Sequence, residues 1–346
     1  MMNLGIDHAL AFAITALAAF GLHRVAEAAG LIDHPGGRRL HARPIPLVGG
    51  LAIACGLLAA LGWRGGLAPA PAALAWAGLV IVAGGVMDDR FELSARVKLL
   101  IQIVAASVLT EFGSVLLFHV GALFSPAVQG LGVALVVPFT ILGVVGVMNA
   151  MNMIDGADGL AGGVALGALF WFGAAAWIAG MAAHASWVAV VAAAVAAYLL
   201  FNAWPPLARN YKIFLGDAGS LLTGLLLAWL AIELSMAPFP ALKPVTAVWI
   251  LAVPICDSVS LMLRRILKRR SPFKPDREHF HHLLQDAGYT PGQAVALVLA
   301  ISFAFGGLAL LADRSGVPEY LMFYLSMVIF AAYSGLSVRF FAKCAA

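Results

Sequence analysis

Eleven runs of about twenty mostly apolar residues leave this chain few folds other than a bundle of membrane helices. They cover 4–22, 45–63, 69–87, 97–113, 131–152, 160–179, 184–203, 218–236, 244–263, 291–312 and 318–338. About 20 apolar residues, at a rise of about 1.5 Å each, span a hydrocarbon core. Hydrophobic residues make up 62% of the chain and charged ones 11%, a balance that excludes a soluble globular domain. Connections are short except near 23–44, 114–130, 204–217 and 264–290. Residues 1–346 are therefore expected to form one membrane-embedded domain of the all-α class.

The distribution of Lys and Arg gives an orientation. Asp7 precedes the first apolar run and no basic leader does, so a cleavable signal is not expected. The basic segment follows that run, which sets the N-terminus outside, 23–44 in the cytoplasm and, after eleven crossings, the C-terminus in the cytoplasm. Of the 21 Lys and Arg residues, all but Arg64, Lys243 and Arg314 then fall inside, as the positive-inside rule requires. The net charge of +4 follows from this asymmetry, and no nucleic-acid partner is expected. Cys55, Cys256 and Cys344 are scattered without CxxC spacing, so neither a disulfide framework nor a thiolate metal site is implied.

Polar residues gather on the cytoplasmic side, in segments 88–97, 152–160, 204–217 and 264–290 as well as 23–44. Asp88 and Asp89 end the third run. Adjacent carboxylates repel and favour a metal or a cationic partner; a solvated helix end paired with Arg90 or Lys98 is the alternative. Asp155 and Asp158 stand among glycines after the fifth run, where they suit Mg²⁺ with substrate phosphates or serve as helix caps. Asp217 opens the eighth run between Gly216 and Gly219, beside backbone N–H groups that attract anions.

Asp257 lies inside the ninth run just after Pro254, and is either functional or a buried partner of Arg264 or Arg265. The segment 264–290 is strongly basic and ends in His279, His281 and His282. Lipid anchoring, a zinc site and diphosphate recognition compete there, and diphosphate recognition accounts for both the basic residues and the histidines. Arg38, Arg39, His41 and Arg43 precede Pro44 and Pro46, prolines that are expected to begin a helix packed through Gly49 and Gly50. Charges at helix ends and the lack of a visible repeat argue against a transporter.

Taken in order, these strings resemble the polyprenyl-phosphate N-acetylhexosamine-1-phosphate transferases across nearly the whole chain. The matching pieces are Asp33-His34-Pro35 with Arg39 and His41, Pro46 to Gly50, Asp88 to Arg90, Lys98 with Gln102, Asn149 to Gly163, Phe214 to Ser220, and Ser271 to His282. The His-x-His-His form and the Ser-Pro-Phe lead-in look like the bacterial UDP-GlcNAc:undecaprenyl-phosphate branch. The muramyl-pentapeptide branch usually has three consecutive histidines and a shorter segment before the residue matching Asp217.

The resemblance implies that a lipid phosphate oxygen attacks the β-phosphorus of a UDP-N-acetylhexosamine and that UMP leaves. The acceptor is undecaprenyl phosphate in a bacterial inner membrane, the cofactor is Mg²⁺ with Mn²⁺ as a substitute, and a homodimer is open. Asp217 is implied as metal ligand, with Asn152 as a second. Asp155, Asp158, Asn202 and Asn149 are implied on the nucleotide side, and Lys98, Arg265, His279, His281 and His282 on the phosphates. Asp88 and Asp89 are implied to orient or deprotonate the lipid phosphate. An apolar groove is expected to lead to Asp88, and the first and last runs are expected to serve packing or dimerisation.

Overall fold

The computed structural model describes residues 5–35, 43–65, 69–269 and 279–344. The motif residues Arg38, Arg39, His41 and 271–278 lie outside them. In chain order the elements are α1 (Ile6–Ala29), β1 (Ile32–Asp33), β2 (Ile45–Pro46), α2 (Gly49–Trp63), α3 (Pro69–Phe91), α4 (Ala95–Gly113), α5 (Val133–Ile154), α6 (Leu160–Ile178), α7 (Ala182–Asn202), α8 (Pro205–Tyr211), α9 (Gly216–Met236), α10 (Pro244–Ile250), α11 (Ala252–Leu267), α12 (Phe280–Asp286), α13 (Pro291–Arg314) and α14 (Glu319–Cys344).

Among the described residues, eight helices are long and apolar enough to cross a membrane, or nine if α10 and α11 count as one bent span. That is fewer than the eleven expected, for local reasons. Residues 45–46 form a strand, not helix, which leaves α2 only 15 residues. Helix α4 carries Arg96, Lys98 and Glu111. The run 244–263 breaks at Leu251, where α11 turns 78° from α10. Pro254 explains the position of that break, because it offers no N–H to the carbonyl of Ile250 four residues earlier. Helix also covers parts of the segments read as connections: α1 runs on to Ala29, α3 to Phe91 and α11 to Leu267, and α8 and α12 occupy parts of 204–217 and 264–290.

Helix α9 is the centre of the bundle and is buried along nearly its whole length. Small residues let its neighbours come close, which is how membrane helices gain contact without a hydrophobic drive between them. A Cβ on Gly224 would stand 2.5 Å from the Met148 Cα of α5. Gly50 of α2 lies directly against the Gly219 backbone, and Gly85 of α3 against the Ala218 backbone.

A short ribbon, invisible to helix-period reading, ties the start of α9 to the rest. β1 pairs antiparallel with β2, with Ile32 opposite Pro46. The chain after β2 then runs beside Phe214: Phe214 N–H donates to Pro46 O (2.8 Å), Gly49 N–H to Phe214 O (2.9 Å) and Gly50 N–H to Leu215 O (3.0 Å). Pro46 is thus a strand residue, and α2 starts three residues later than the prolines suggested.

At the other end of the bundle, Arg64 clasps Asp7 through Nε (2.8 Å) and Nη2 (2.6 Å) and reaches Ser186 (2.6 Å). Lys243 pairs with Asp313 (3.4 Å), and Arg314 donates to Ala241 O (2.7 Å). The three cations expected apart from the rest therefore sit at one end, away from Asp88 and Asp217.

Gly50→Ala is expected to force α2 off α9, costing about 1–3 kcal/mol as overpacking does. A lower thermal midpoint in detergent, with loss of the function of the Asp217 region, would be the outcome; an unchanged midpoint would show that the contact yields without cost.

Candidate active site

Four helix ends meet at one point. Asp88 and Asp89 come from the end of α3, Lys98 from the start of α4, Asn152 from the end of α5 and Asp217 from the start of α9. The Lys98 ammonium lies between two carboxylates, pairing with Asp88 and donating to Asp217 Oδ2 (2.9 Å). Asn152 Nδ2 donates to the other Asp217 oxygen (2.8 Å) and to Ser220 Oγ (2.9 Å). One turn deeper, Gln102 and Asn149 exchange amide hydrogen bonds between the same two helices, α4 and α5.

The two adjacent carboxylates of α3 have separate roles. Asp89 Oδ1 accepts the Asp217 backbone N–H (2.8 Å), and its Oδ2 faces that of Ala218 (3.4 Å). No side chain of its own caps α9, so Asp89 supplies the cap from another helix. Gly216 makes this approach possible: it has φ 70°, and a Cβ there would stand 2.6 Å from Asp89 Oδ2. Asp88 Oδ1 instead accepts the Leu93 N–H (2.7 Å) as the chain leaves α3 through Glu92 in the left-handed region.

The loop between α5 and α6 forms a second wall. Asn202 does not open into a pocket: its Oδ1 accepts the Gly159 N–H (2.6 Å) and its Nδ2 donates to Ile213 O (3.0 Å). It joins the loop at Gly159 to the one at Ile213. Asp158 is half exposed and pairs with Lys212 (2.5 Å), whose ammonium lies 5.5 Å from the Phe214 ring centroid. Burial pushes the Asp155 carboxyl up to about 8, and the charges of Asp217, Asp89 and Asp158 add to the effect.

A histidine arm forms the third wall. His279 Nδ1 lies 2.9 Å from Asp257 Oδ2. Its ring stacks on that of His281 at 5.9 Å, and His281 is 4.0 Å from His282, centroid to centroid. The His281 ring fills the space beside Gly156, where a Cβ would meet Cε1 at 2.8 Å. The arm therefore reaches the Asp155–Asp158 loop. Arg264 and Arg265 are buried in the last turn of α11. Asp257, read as either functional or a buried partner of one of them, is held by His279, by Phe280 N–H (3.0 Å) and by Tyr333 (2.7 Å). Tyr333 belongs to α14, so the last run reaches Asp257 through a hydrogen bond. Sequence reasoning had no signal for it, since aromatic residues are common in membrane helices.

The oxygen donors around Asp217 are hard ligands of the kind that Mg²⁺ accepts. Among the described residues no three His, Cys, Asp or Glu side chains form a metal cage. Mg²⁺ takes few protein ligands and completes its shell with phosphate oxygens and water, and here Lys98 and Asn152 N–H groups hold the two Asp217 oxygens that such an ion would take.

Carboxylates, a lysine and three histidines thus gather at one end of a bundle of membrane-type helices. The family model for glycosyl transferase family 4 matches residues 71–235. The chain is similar to the undecaprenyl-phosphate alpha-N-acetylglucosaminyl 1-phosphate transferase of Escherichia coli strain K12, at 36% identity over 96% of this chain and 90% of that protein. The same-named proteins of Salmonella typhimurium (36% identity, 93% and 88% covered) and Haemophilus influenzae (35%, 88% and 85%) are similar too. The chain belongs to glycosyl transferase family 4, among the polyprenyl-phosphate N-acetylhexosamine-1-phosphate transferases, and is a glycosyl-1-phosphate transferase.

The Asp155 carboxyl titrates near 3.8 when unfolded and near 8 in the fold, so its ionisation opposes folding increasingly as pH rises between those values. Asp155→Asn removes that penalty. Its thermal midpoint is expected to exceed that of the wild type above about pH 8, with a gap that shrinks towards about pH 5. Parallel midpoint curves would mean that the carboxyl is freely solvated.

Proposed function

We propose that this enzyme transfers N-acetylglucosamine 1-phosphate from UDP-GlcNAc to undecaprenyl phosphate, releasing UMP. The observation that carries the reading is the convergence of Asp88, Lys98, Asn152 and Asp217 at four helix ends. The names of the relatives supply the lipid acceptor and the sugar. The lipid-linked product would prime a cell-surface glycan such as O-antigen, common antigen or teichoic acid.

A phosphate monoester carries about −1.5 to −2 charges at neutral pH. The acceptor therefore needs little deprotonation; bringing two anions together is the harder task. Lys98 is placed to draw the lipid phosphate against the transferring group. Asp217, with Asn152 beside it, would hold Mg²⁺ (or Mn²⁺), and the ion would neutralise charge on the diphosphate when bound. Asp155, Asp158 and the amide-anchored loops of Asn202 would receive the nucleotide, with Asn149, which pairs with Gln102, on the same side. His279, His281, His282 and Arg265 would face the phosphates. One oxygen of Asp88 is engaged by Leu93 N–H and the other by Lys98, while Asp89 is engaged by α9. This favours direct displacement over a covalent aspartyl intermediate.

Helices α2 and α4 run between the same two ends as the long spans, which favours eleven crossings with α10 and α11 as one. Orientation follows the basic residues: the acidic end faces the cytoplasm of a bacterial inner membrane and the Arg64 end faces outward.

The test is UMP release by purified protein in detergent, with undecaprenyl phosphate, Mg²⁺ and a panel of UDP-sugars. Release that needs lipid and metal and is strongest with UDP-GlcNAc is expected. Release only with another UDP-N-acetylhexosamine or UDP-MurNAc-pentapeptide would keep the chemistry and change the substrate. Asp217→Asn is expected to lower turnover by at least about 100-fold, in line with losing a main transition-state contact, with protein yield unchanged. Near-normal turnover would remove Asp217 from the metal site.

A further inference from the structure

We propose that Asp257 and Tyr333 position His279, so that the last helix, α14, is part of the working site. The inference rests on the proposed role of His279 in holding substrate phosphate.

Asp257 is 2% exposed. A carboxylate so deeply buried is costly unless its oxygens are satisfied. Three donors from two distant parts of the chain converge on it. Oδ1 accepts the Tyr333 hydroxyl (2.7 Å) and the Phe280 N–H (3.0 Å). Oδ2 takes His279 Nδ1 (2.9 Å). The Phe280 ring also meets the Tyr333 ring edge-on at 5.4 Å. The grip therefore includes the backbone of the residue after His279 and an aromatic contact with α14.

An imidazole whose Nδ1–H is given to a carboxylate has its tautomer and ring plane fixed, and Nε2 becomes the nitrogen that can meet another group. The His279 ring is further oriented by its stack on His281, 14° from parallel. His281 in turn abuts Gly156 in the loop that carries Asp155 and Asp158. Orientation thus passes from Tyr333 through Asp257 to His279 and on to the nucleotide side of the site. A carboxylate that only packed α11 against α14 would have no need to engage both the ring and the following N–H of a residue on the histidine arm.

The experiment is a mutant cycle on the full chain in detergent, reading UMP release. Outer partners of a functional imidazole are worth about 10–100-fold. Asp257→Asn is expected to fall in that range, and Tyr333→Phe, which removes one hydroxyl and keeps the ring packing, to lose a smaller factor. In the His279→Gln background neither change is expected to lower turnover further, because both act through that ring. Losses that multiply in the His279→Gln background would overturn the inference and leave the site reading intact. Wild-type turnover by His279→Gln would overturn the site reading itself. If Asp257→Asn does not fold, Tyr333→Phe decides: wild-type turnover overturns the role of α14, and a loss absent from the double variant supports it.

Discussion

One ammonium set between two carboxylates, at the mouth of a helix that supplies its own positive end, is the constraint around which this bundle is arranged. Asp88, Asp89 and Asp217 would repel one another in an apolar setting. Lys98 answers two of them, and the N–H groups that open α9 answer the third. That solution requires four helix ends to arrive within a few ångströms. The close-packed glycines at Gly50, Gly85 and Gly219 and the ribbon from β1 through Phe214 serve that convergence. The burial of α9 on nearly all sides follows from it too, since its start must be reached by α2, α3 and α5 together.

The three walls are held with different stiffness. The acidic cluster stands on helix ends, whose backbone is already satisfied. The loop wall depends on Asn202, which spends its amide on Gly159 and Ile213, and on the exposed pair of Asp158 and Lys212. Screened exposed pairs of this kind contribute little to stability.

Much of this was legible before any coordinates. Charged residues inside or beside apolar runs are conspicuous, so Asp88, Lys98, Asp155, Asp217 and Asp257 stood out, and the sparse cations Arg64, Lys243 and Arg314 do gather away from the acidic end. What could not be read depends on tertiary contact. The partner of Asp89 is the backbone of a helix far along the chain, and two-residue strands have no period to detect. Pro254 is visible in the run, but the break falls at Leu251, next to the carbonyl that the proline deprives and not at the proline itself. Asn202 is implied as a substrate contact by the motif, and the sequence does not show that its amide also joins Gly159 N–H to Ile213 O. Tyr333 has the appearance of any aromatic in a membrane helix.

The cap that Asp89 provides also bears on how the chain is made. Asp89 and the N–H group it accepts are 128 residues apart. Until α9 is synthesised, the acidic end of α3 has Lys98, the Leu93 N–H and water to solvate it. The central helix of the finished bundle is made after α2, α3 and α5, so the cap joins an early element of the chain to a late one.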